Sequence, residues 1–97
     1  MTKADIIHEV SEKTGLTKVE IEAVFDGIII SISDSLKRGD RVDLRRFGSF
    51  LVKRRSARDA RNPATSEIIK LRERFIPAFK VSNILKKAVD KSLIRGF

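Results

Sequence analysis

Basic side chains dominate the stretch from residue 53 to residue 75, and the pair Asn62 and Pro63 divides that stretch in two. Asparagine before proline disfavours helix, and Pro63 presets the φ of a turn, so two extended limbs should flank a tight tip. In the second limb Lys70, Arg72 and Arg74 alternate with less basic residues at the period of a strand. Cations spaced in this way along one face would bind an anion whose charges are also regularly spaced.

The first limb is equally basic and contains Lys53, Arg54, Arg55, Arg58 and Arg61. If the hairpin closes about residues 63 and 64, Arg55 faces Arg72. Lys53 then faces Arg74. Like charges directly opposite each other destabilise a ribbon. Such a ribbon therefore indicates a polyanionic partner lying against it.

The basic limb also has reach. Nine residues from 53 to 61 extend about 30 Å at about 3.3 Å per residue, and their apolar bulk is limited to Ala57 and Ala60. An isolated two-stranded hairpin is marginally stable in water, so this arm should project and become ordered on a partner. The alternative is an ordinary solvated hairpin whose Lys and Arg side chains block edge aggregation.

The net charge of +8 is unevenly distributed. Residues 1–40 carry five Lys or Arg and eight Asp or Glu, a balance of −3, whereas residues 41–75 carry eleven and four, a balance of +7. Residues 76–97 carry five and one, a balance of +4. A separated basic half gives the electrostatic field a direction and predicts a polyanion such as nucleic acid as the partner.

Composition excludes several classes of protein. With no cysteine there is no disulfide framework and no thiolate metal site, and no run approaches the length of a membrane span. The first turns are acidic, unlike a signal peptide. We expect a single domain over residues 1–97 in the cytoplasm, with no cofactor, no metal, no membrane and no small-molecule substrate.

Two helices are predicted in residues 1–40. Thr2 and Asp5 have the spacing of a capping box, and Gly15 is a common helix-ending residue. The second helix runs from Thr17 to about residue 38, before Gly39. Its apolar residues cover more than one face, and a second copy of so short a chain would cover the extra face, most simply in a two-fold dimer. Residues 1–40 are thus the expected dimerisation half.

Residues 41–81 predict an antiparallel sheet that continues into the arm at about 53–75. Residues 41–45 alternate as a short strand. Gly48 lies between Phe47 and Phe50, where it would permit a tight turn or bulge between two buried aromatics. Ser82 or Asn83 can cap a last helix over residues 82–95.

Three other readings are weaker. A helix-turn-helix regulator would present Lys18, Glu20 and Glu22 to DNA, and the two carboxylates oppose that. An RNA-binding module would need exposed aromatics for base stacking, which the arm lacks. An enzyme is not expected, because the single histidine, His8, stands without a paired acid/base site and no Gly-rich phosphate loop is present.

Three short motifs together resemble one family. They occur in order along nearly the whole chain: Phe47-Gly48-Ser49-Phe50, Arg61-Asn62-Pro63 followed by Thr65, and Pro77-Ala78-Phe79. With the helical opening, they resemble the HU / integration host factor family, small dimeric nucleoid proteins of bacteria that bend DNA. The resemblance implies an intertwined α+β dimer with a helical base, a three-stranded antiparallel sheet extended into a long β-ribbon arm, and a short C-terminal helix.

The resemblance also implies function. Two arms would wrap double-stranded DNA in the minor groove, and Pro63 would match the wedge that kinks the duplex, in a homodimer or a heterodimer with a sister subunit. The implied DNA-binding residues are Lys3, Arg46, Lys53, Arg54, Arg55, Arg58, Arg61, Asn62, Pro63, Lys70, Arg72, Arg74, Lys80, Ser82 and Lys86. The implied dimer core is Phe25, Ile28, Ile29, Ile32, Phe47, Phe50 and Phe79. The chain departs from the family at Ala60 and Ser66, where glycine is usual and would permit positive φ cheaply.

Overall fold

The computed structural model describes residues 1–94 and confirms the predicted α+β order of elements. The helices are α1 (Lys3–Thr14), α2 (Lys18–Lys37) and α3 (Asn83–Leu93). The strands are β1 (Val42–Leu44), β2 (Gly48–Arg55), β3 (Arg58–Arg61), β4 (Ile68–Leu71) and β5 (Arg74–Val81). The chain forms two compact units, residues 1–34 and the part that begins at residue 35. That residues 1–97 are one functional domain stays a prediction.

The helix ends lie where the capping residues predict them. The Thr2 hydroxyl accepts a hydrogen bond from the Asp5 amide while the Asp5 carboxylate accepts one from the Thr2 amide, which completes the capping box. Gly15 ends α1 with φ of 76°. Thr17 accepts from the Glu20 amide at 3.2 Å at the start of α2, and Gly39, with φ of 82°, follows its end.

The three-stranded sheet has the order β1-β2-β5, with antiparallel neighbours. Phe50 lies opposite both Val42 and Phe79, so one face of the sheet is apolar. The rings of Phe50 and Phe79 lie 4.9 Å apart.

The expected role of Gly48 as a turn or bulge between two buried aromatics is wrong. The turn between β1 and β2 is closed by a hydrogen bond from the Phe47 amide to the Leu44 carbonyl, and its positive φ, 70°, belongs to Arg46. Gly48 is buried in β2, and the Phe47 side chain is 48% exposed. A Cβ on Gly48 would lie 2.5 Å from Cζ of Phe79, so glycine is required here for close packing.

The predicted pairing within the arm is also wrong by two positions. Arg55 lies opposite Arg74, and Lys53 lies opposite Ile76. The strands β3 and β4 continue the same register beyond a break of two residues on each side, at 56–57 and 72–73. The reason is a wider tip, because the Asn62 amide donates to the Glu67 carbonyl at 2.8 Å instead of the chain reversing at residues 63 and 64.

Ser82 joins α3 to the turn before β2. Its hydroxyl accepts from the Leu85 amide at 3.1 Å and donates to the Arg46 carbonyl at 2.8 Å, and its amide donates to the Phe47 carbonyl. Of the two predicted caps, Ser82 is therefore the one used. The helix ends at Leu93, and residue 95 of the predicted range lies outside the described residues.

Little of the single chain is buried. Within residues 1–94 the buried hydrophobic side chains are Ile7 and Ile21. Ile28 and Ile29 of α2 are 53% and 48% exposed. The single chain therefore leaves the apolar side chains of α2 uncovered. A folded domain needs a larger apolar core than this. No helix in the described part of the chain is long and apolar enough to cross a bilayer.

Candidate nucleic-acid interface

The arm has two chemically different faces. Opposed residues of an antiparallel pair point to the same side, and successive residues alternate. The break leaves two residues of each limb without a strand partner. Because two is an even number, the alternation of side chains continues unchanged from β2 and β5 into β3 and β4. One side, here called the basic face, collects five of the predicted DNA-binding residues: Lys53, Arg55, Arg61, Lys70 and Arg74. Arg72 lies in the break.

Asp59 lies opposite Lys70, so the basic face also carries one carboxylate. The basic face continues onto the sheet surface that holds Ser49 and Lys80, which are opposed to each other. The aromatic pair of Phe50 and Phe79 is on the other side of the sheet. Cations thus extend along one surface from the sheet towards the tip.

The opposite side of the arm carries both charged and apolar residues, which the sequence did not predict. Arg54 donates from Nη2 to Oε2 of Glu73 at 3.1 Å. Arg58 lies opposite Leu71. Phe75, opposite Arg54, is 63% exposed, so the expectation that the arm lacks exposed aromatics is wrong at its base. Arg54 and Arg58 therefore alternate away from the basic face, although both are among the DNA-binding residues that the resemblance implies.

A shallow concavity at the break is lined by Arg55, Ser56, Arg58 and Arg74. The Nη1 atom of Arg74, one of the residues that line this concavity, is shielded from solvent and has no hydrogen-bond partner. A shielded guanidinium nitrogen without a partner is unfavourable in the free chain. Three guanidinium groups line this concavity, and guanidinium binds phosphate oxygens well, so it is a candidate phosphate contact.

The tip presents Pro63 to solvent and orders the residues around it. Asn62 is half-buried and its Oδ1 accepts from the Ala64 amide at 2.9 Å. The Ser66 amide donates to the Asn62 carbonyl at 2.8 Å. Ser66 has φ of 60°, the left-handed conformation that glycine adopts at least cost. The departure from glycine at this position therefore leaves the left-handed turn in place.

The end of the sheet forms a second concavity beside the first turn of α3. Four of the residues that line it are Arg46, Lys80, Ser82 and Asn83. Arg41 and Arg45 line it too, and the sequence analysis missed them as candidates; their signal was their charge within a basic segment. Lys86 lies one turn further along α3 and lines a different surface.

A polar cluster in this second concavity involves Arg41, Asp43 and Ser49. The Ser49 hydroxyl and Nε of Arg41 both donate to Oδ1 of Asp43, the latter at 2.8 Å. The hydrogen bond from Ser49 and then that from Arg41 hold the pKa of Asp43 below its ordinary value. The cluster leaves Arg41 partly neutralised.

Lys3, the remaining predicted DNA-binding residue, belongs to the first unit. Its Nζ lies 2.7 Å from Oδ1 of Asp26 and 3.6 Å from Oε1 of Glu22. The hydrogen bond to Asp26 is the main cause that raises the pKa of Lys3. Its ammonium also lies 5.8 Å from the Phe25 ring centroid, so Lys3 has partners within its own chain.

The chain is similar to known bacterial DNA-binding proteins. The family model described as bacterial DNA-binding protein matches residues 1–90. The chain is 42% identical over 90 residues to the DNA-binding protein HU-beta of Serratia marcescens, covering 93% of this chain and all of that one. It is 38% identical over 92 residues to integration host factor subunit alpha of Anaeromyxobacter, covering 95% and 93% respectively.

Solved structures agree with the sequence comparisons. A cocrystal structure of Anabaena HU with DNA superposes with a TM-score of 0.83 at 34% identity, covering 92% of this chain and 97% of that one. The structure of HU from Thermotoga maritima superposes with a TM-score of 0.65 at 26% identity, covering 92% and 98%.

Proposed function

This chain belongs to the bacterial DNA-binding protein family, which includes HU and the integration host factor subunits, and from that premise we propose that it bends duplex DNA with its arm and so helps to organise the nucleoid. It acts as an architectural DNA-binding protein, with the arm in the minor groove and Pro63 inserted between base pairs.

One observation carries the proposal, namely that the basic face leads to an exposed proline. Lys53, Arg55 and Arg74 begin the basic face next to the sheet, and Arg61 ends it two residues before Pro63. Phosphates repeat along each DNA strand, so cations along a ribbon neutralise several of them and release counterions. This contribution is independent of sequence and falls steeply as salt concentration rises.

Pro63 supplies the wedge. Its ring is rigid, apolar and exposed, and it lacks an N–H that would lose hydrogen bonds on leaving water. In minor-groove architectural proteins, a class that includes HU and integration host factor, unstacking a base step costs a few kcal/mol and bending brings more DNA onto the protein. Preference among sites then arises from how easily the DNA deforms.

A dimer supplies the second arm. The apolar residues Ile28 and Ile29 on α2 and the aromatic cluster around Phe79 are the surfaces a second copy would cover. Two arms on one duplex introduce two kinks, which wrap the DNA around the sheet surface between them. The partner is an identical chain or a sister subunit.

The sheet surface receives the middle of the duplex. Arg46 and Lys80 supply charge, and the first turn of α3 directs backbone amides at a phosphate. The Ser82 hydroxyl is already bonded to the Leu85 amide and the Arg46 carbonyl. Ser82 therefore holds the end of α3 in place. Its contribution is to position the backbone there rather than to offer a free hydroxyl.

The test is the bend angle of a duplex labelled at both ends for fluorescence energy transfer. Pro63→Ala keeps every charge, so we expect nearly unchanged affinity at fixed salt and a smaller bend. Arg61→Gln, next to the tip, is the matched control and should lower affinity with less loss of bend per bound complex. An unchanged bend angle in Pro63→Ala would contradict the role of Pro63 as a wedge. Tighter binding to single-stranded RNA than to duplex DNA would contradict the architectural function.

A further inference from the structure

The structure of the tip points to a distinct role for Asn62, which rests on the proposed wedge function of Pro63. We propose that Asn62 is a positioning residue, whose side chain holds the tip so that Pro63 is presented before DNA arrives. Asn62 was grouped above with the residues that contact DNA. Its hydrogen bonds in the free chain assign it to the shape of the tip instead.

A side-chain hydrogen bond of Asn62 closes the tip around Pro63. Oδ1 of Asn62 accepts from the Ala64 amide at 2.9 Å, which spans Pro63. An asparagine side chain that bonds two residues ahead imitates a backbone turn. Since Pro63 has a fixed φ and the residues on both sides of it are joined by this bond, the ring has little freedom left to rotate away.

Asn62 also closes the loop through its backbone. Its amide donates to the Glu67 carbonyl at 2.8 Å, and its carbonyl accepts from the Ser66 amide at 2.8 Å. Both backbone groups and the side-chain acceptor are therefore engaged inside the tip. The side-chain oxygen that a DNA contact would use is thus already committed to one hydrogen bond within the tip.

Asn62 and its neighbour Pro63 differ in exposure to solvent. Asn62 is half-buried, whereas Pro63 is exposed. A residue that positions a wedge should be shielded by the loop that it closes, and the wedge should protrude. Ordering the tip before binding removes part of the entropy loss that a flexible tip would suffer when it inserts.

The experiment compares Asn62→Ala with Asn62→Ser. Alanine removes the acceptor, whereas the serine hydroxyl can accept the same bond more weakly. In the DNA-free protein, we expect the backbone ¹⁵N order parameters of Ala64 and Ser66 to fall in Asn62→Ala into the flexible range, below about 0.6, and to recover partly in Asn62→Ser. This measurement needs no DNA and is independent of the proposed function.

The DNA readout is the bend angle together with affinity. Asn62→Ala keeps every charge, so like Pro63→Ala it should reduce the bend and leave the affinity for intact duplex nearly unchanged. The bend of a duplex that already contains a flexible gap should change much less, because the tip no longer has to open a base step. Asn62→Ser should retain most of the bend.

Each outcome decides the matter. Unchanged order parameters in Asn62→Ala would overturn the positioning role even if bending fell, since the loss would then come from a direct contact. An unchanged bend in Asn62→Ala, with a reduced bend in Pro63→Ala, would overturn the positioning role alone. An unchanged bend in both variants would overturn the wedge, and the role of Asn62 with it.

Discussion

Arg55 and Arg74 lie directly opposite each other where the sheet becomes the arm. Two like charges at opposed positions disfavour strand pairing, and Nη1 of Arg74 is shielded without a hydrogen-bond partner. The free arm therefore carries an unfavourable arrangement that bound phosphate oxygens would relieve. This pair lies beside residues 56–57, where the pairing of the ribbon is interrupted.

Arg74→Gln should separate the stability of the free arm from DNA affinity. Removing one of the two opposed charges should protect the amides of β2 and β5 slightly more against hydrogen exchange, while the salt dependence of duplex binding should fall by about 0.9 in log–log slope for one lost phosphate contact. Arg54→Gln is the matched control, because Arg54 already pairs with Glu73 on the other side. Equal slopes for both variants would contradict the assignment of the basic face.

Gly48→Ala should destabilise the sheet. The new Cβ would lie 2.5 Å from Cζ of Phe79 and 2.6 Å from the backbone oxygen of Lys80. The backbone oxygen cannot move aside without disturbing β5, so we expect a loss of about 1–3 kcal/mol in the free energy of unfolding. Urea denaturation at fixed protein concentration measures it.

The control for Gly48 is Gly39→Ala. Gly39 has nothing within 4 Å of an added Cβ, but its φ is 82°. That variant should lose about 1–2 kcal/mol through backbone strain alone and should leave the chemical shifts of Phe79 unchanged. A Gly48→Ala protein as stable as the parent would show that the sheet relaxes around residue 79.

Ser49→Ala should raise the pKa of Asp43 towards its ordinary value of 3.8, because the hydroxyl of Ser49 is the first cause of the depression and Arg41 the second. A carboxyl with a depressed folded-state pKa contributes stability above its unfolded pKa, and this is lost as pH falls through the folded value. The thermal stability of the parent should therefore converge on that of Asp43→Asn between about pH 5 and pH 2. Carboxyl ¹³C shifts measure the titration, and an unmoved titration in Ser49→Ala would contradict the cluster.

Local signals predicted the parts of the fold that depend on neighbours in sequence. The capping box of Thr2 and Asp5, the left-handed Gly15 and the cap at Ser82 each require only residues within one turn of helix. The alternation of the second limb was enough to predict a strand. The motif Arg61-Asn62-Pro63 is also local in sequence, and it placed Pro63 at the tip.

The register of the arm could not be predicted, because it depends on the width of the tip. The Asn62 amide donates to the Glu67 carbonyl, so the opposing residues shift by two positions from a chain reversal at residues 63 and 64. Strand alternation alone places Arg54 on the side away from Lys53 and Arg55, where it pairs with Glu73. The role of Gly48 was missed for a related reason, since the residue that demands glycine, Phe79, is distant in sequence.

Ser66→Gly should ease the tip, and Ser66→Val should distort it. Ser66 has φ of 60°, a conformation that costs an L-residue about 1–2 kcal/mol relative to a right-handed one and is prohibitive for a β-branched side chain. We expect Ser66→Gly to keep the full bend angle and Ser66→Val to reduce it. Ala64→Gly, outside the positive-φ positions, serves as the control for flexibility at the tip. A full bend in Ser66→Val would show that the left-handed turn is dispensable.

Ile29→Glu should abolish the dimer. Ile29 lies in α2 with 48% of its side chain exposed in the single chain, among neighbours such as Ile28 that are equally uncovered. A carboxylate placed in an apolar subunit interface loses its hydration without gaining a partner, so association should weaken by several kcal/mol. Sedimentation velocity at micromolar concentration measures the loss.

Val19→Glu, at a site 79% exposed near the start of the same helix, is the control and should leave the parent's association intact. Since so little of the single chain is buried, Ile29→Glu should also be largely unfolded, as judged by circular dichroism. A parent chain that sediments as a stable folded monomer at that concentration would contradict the dimer and leave each DNA complex with a single arm.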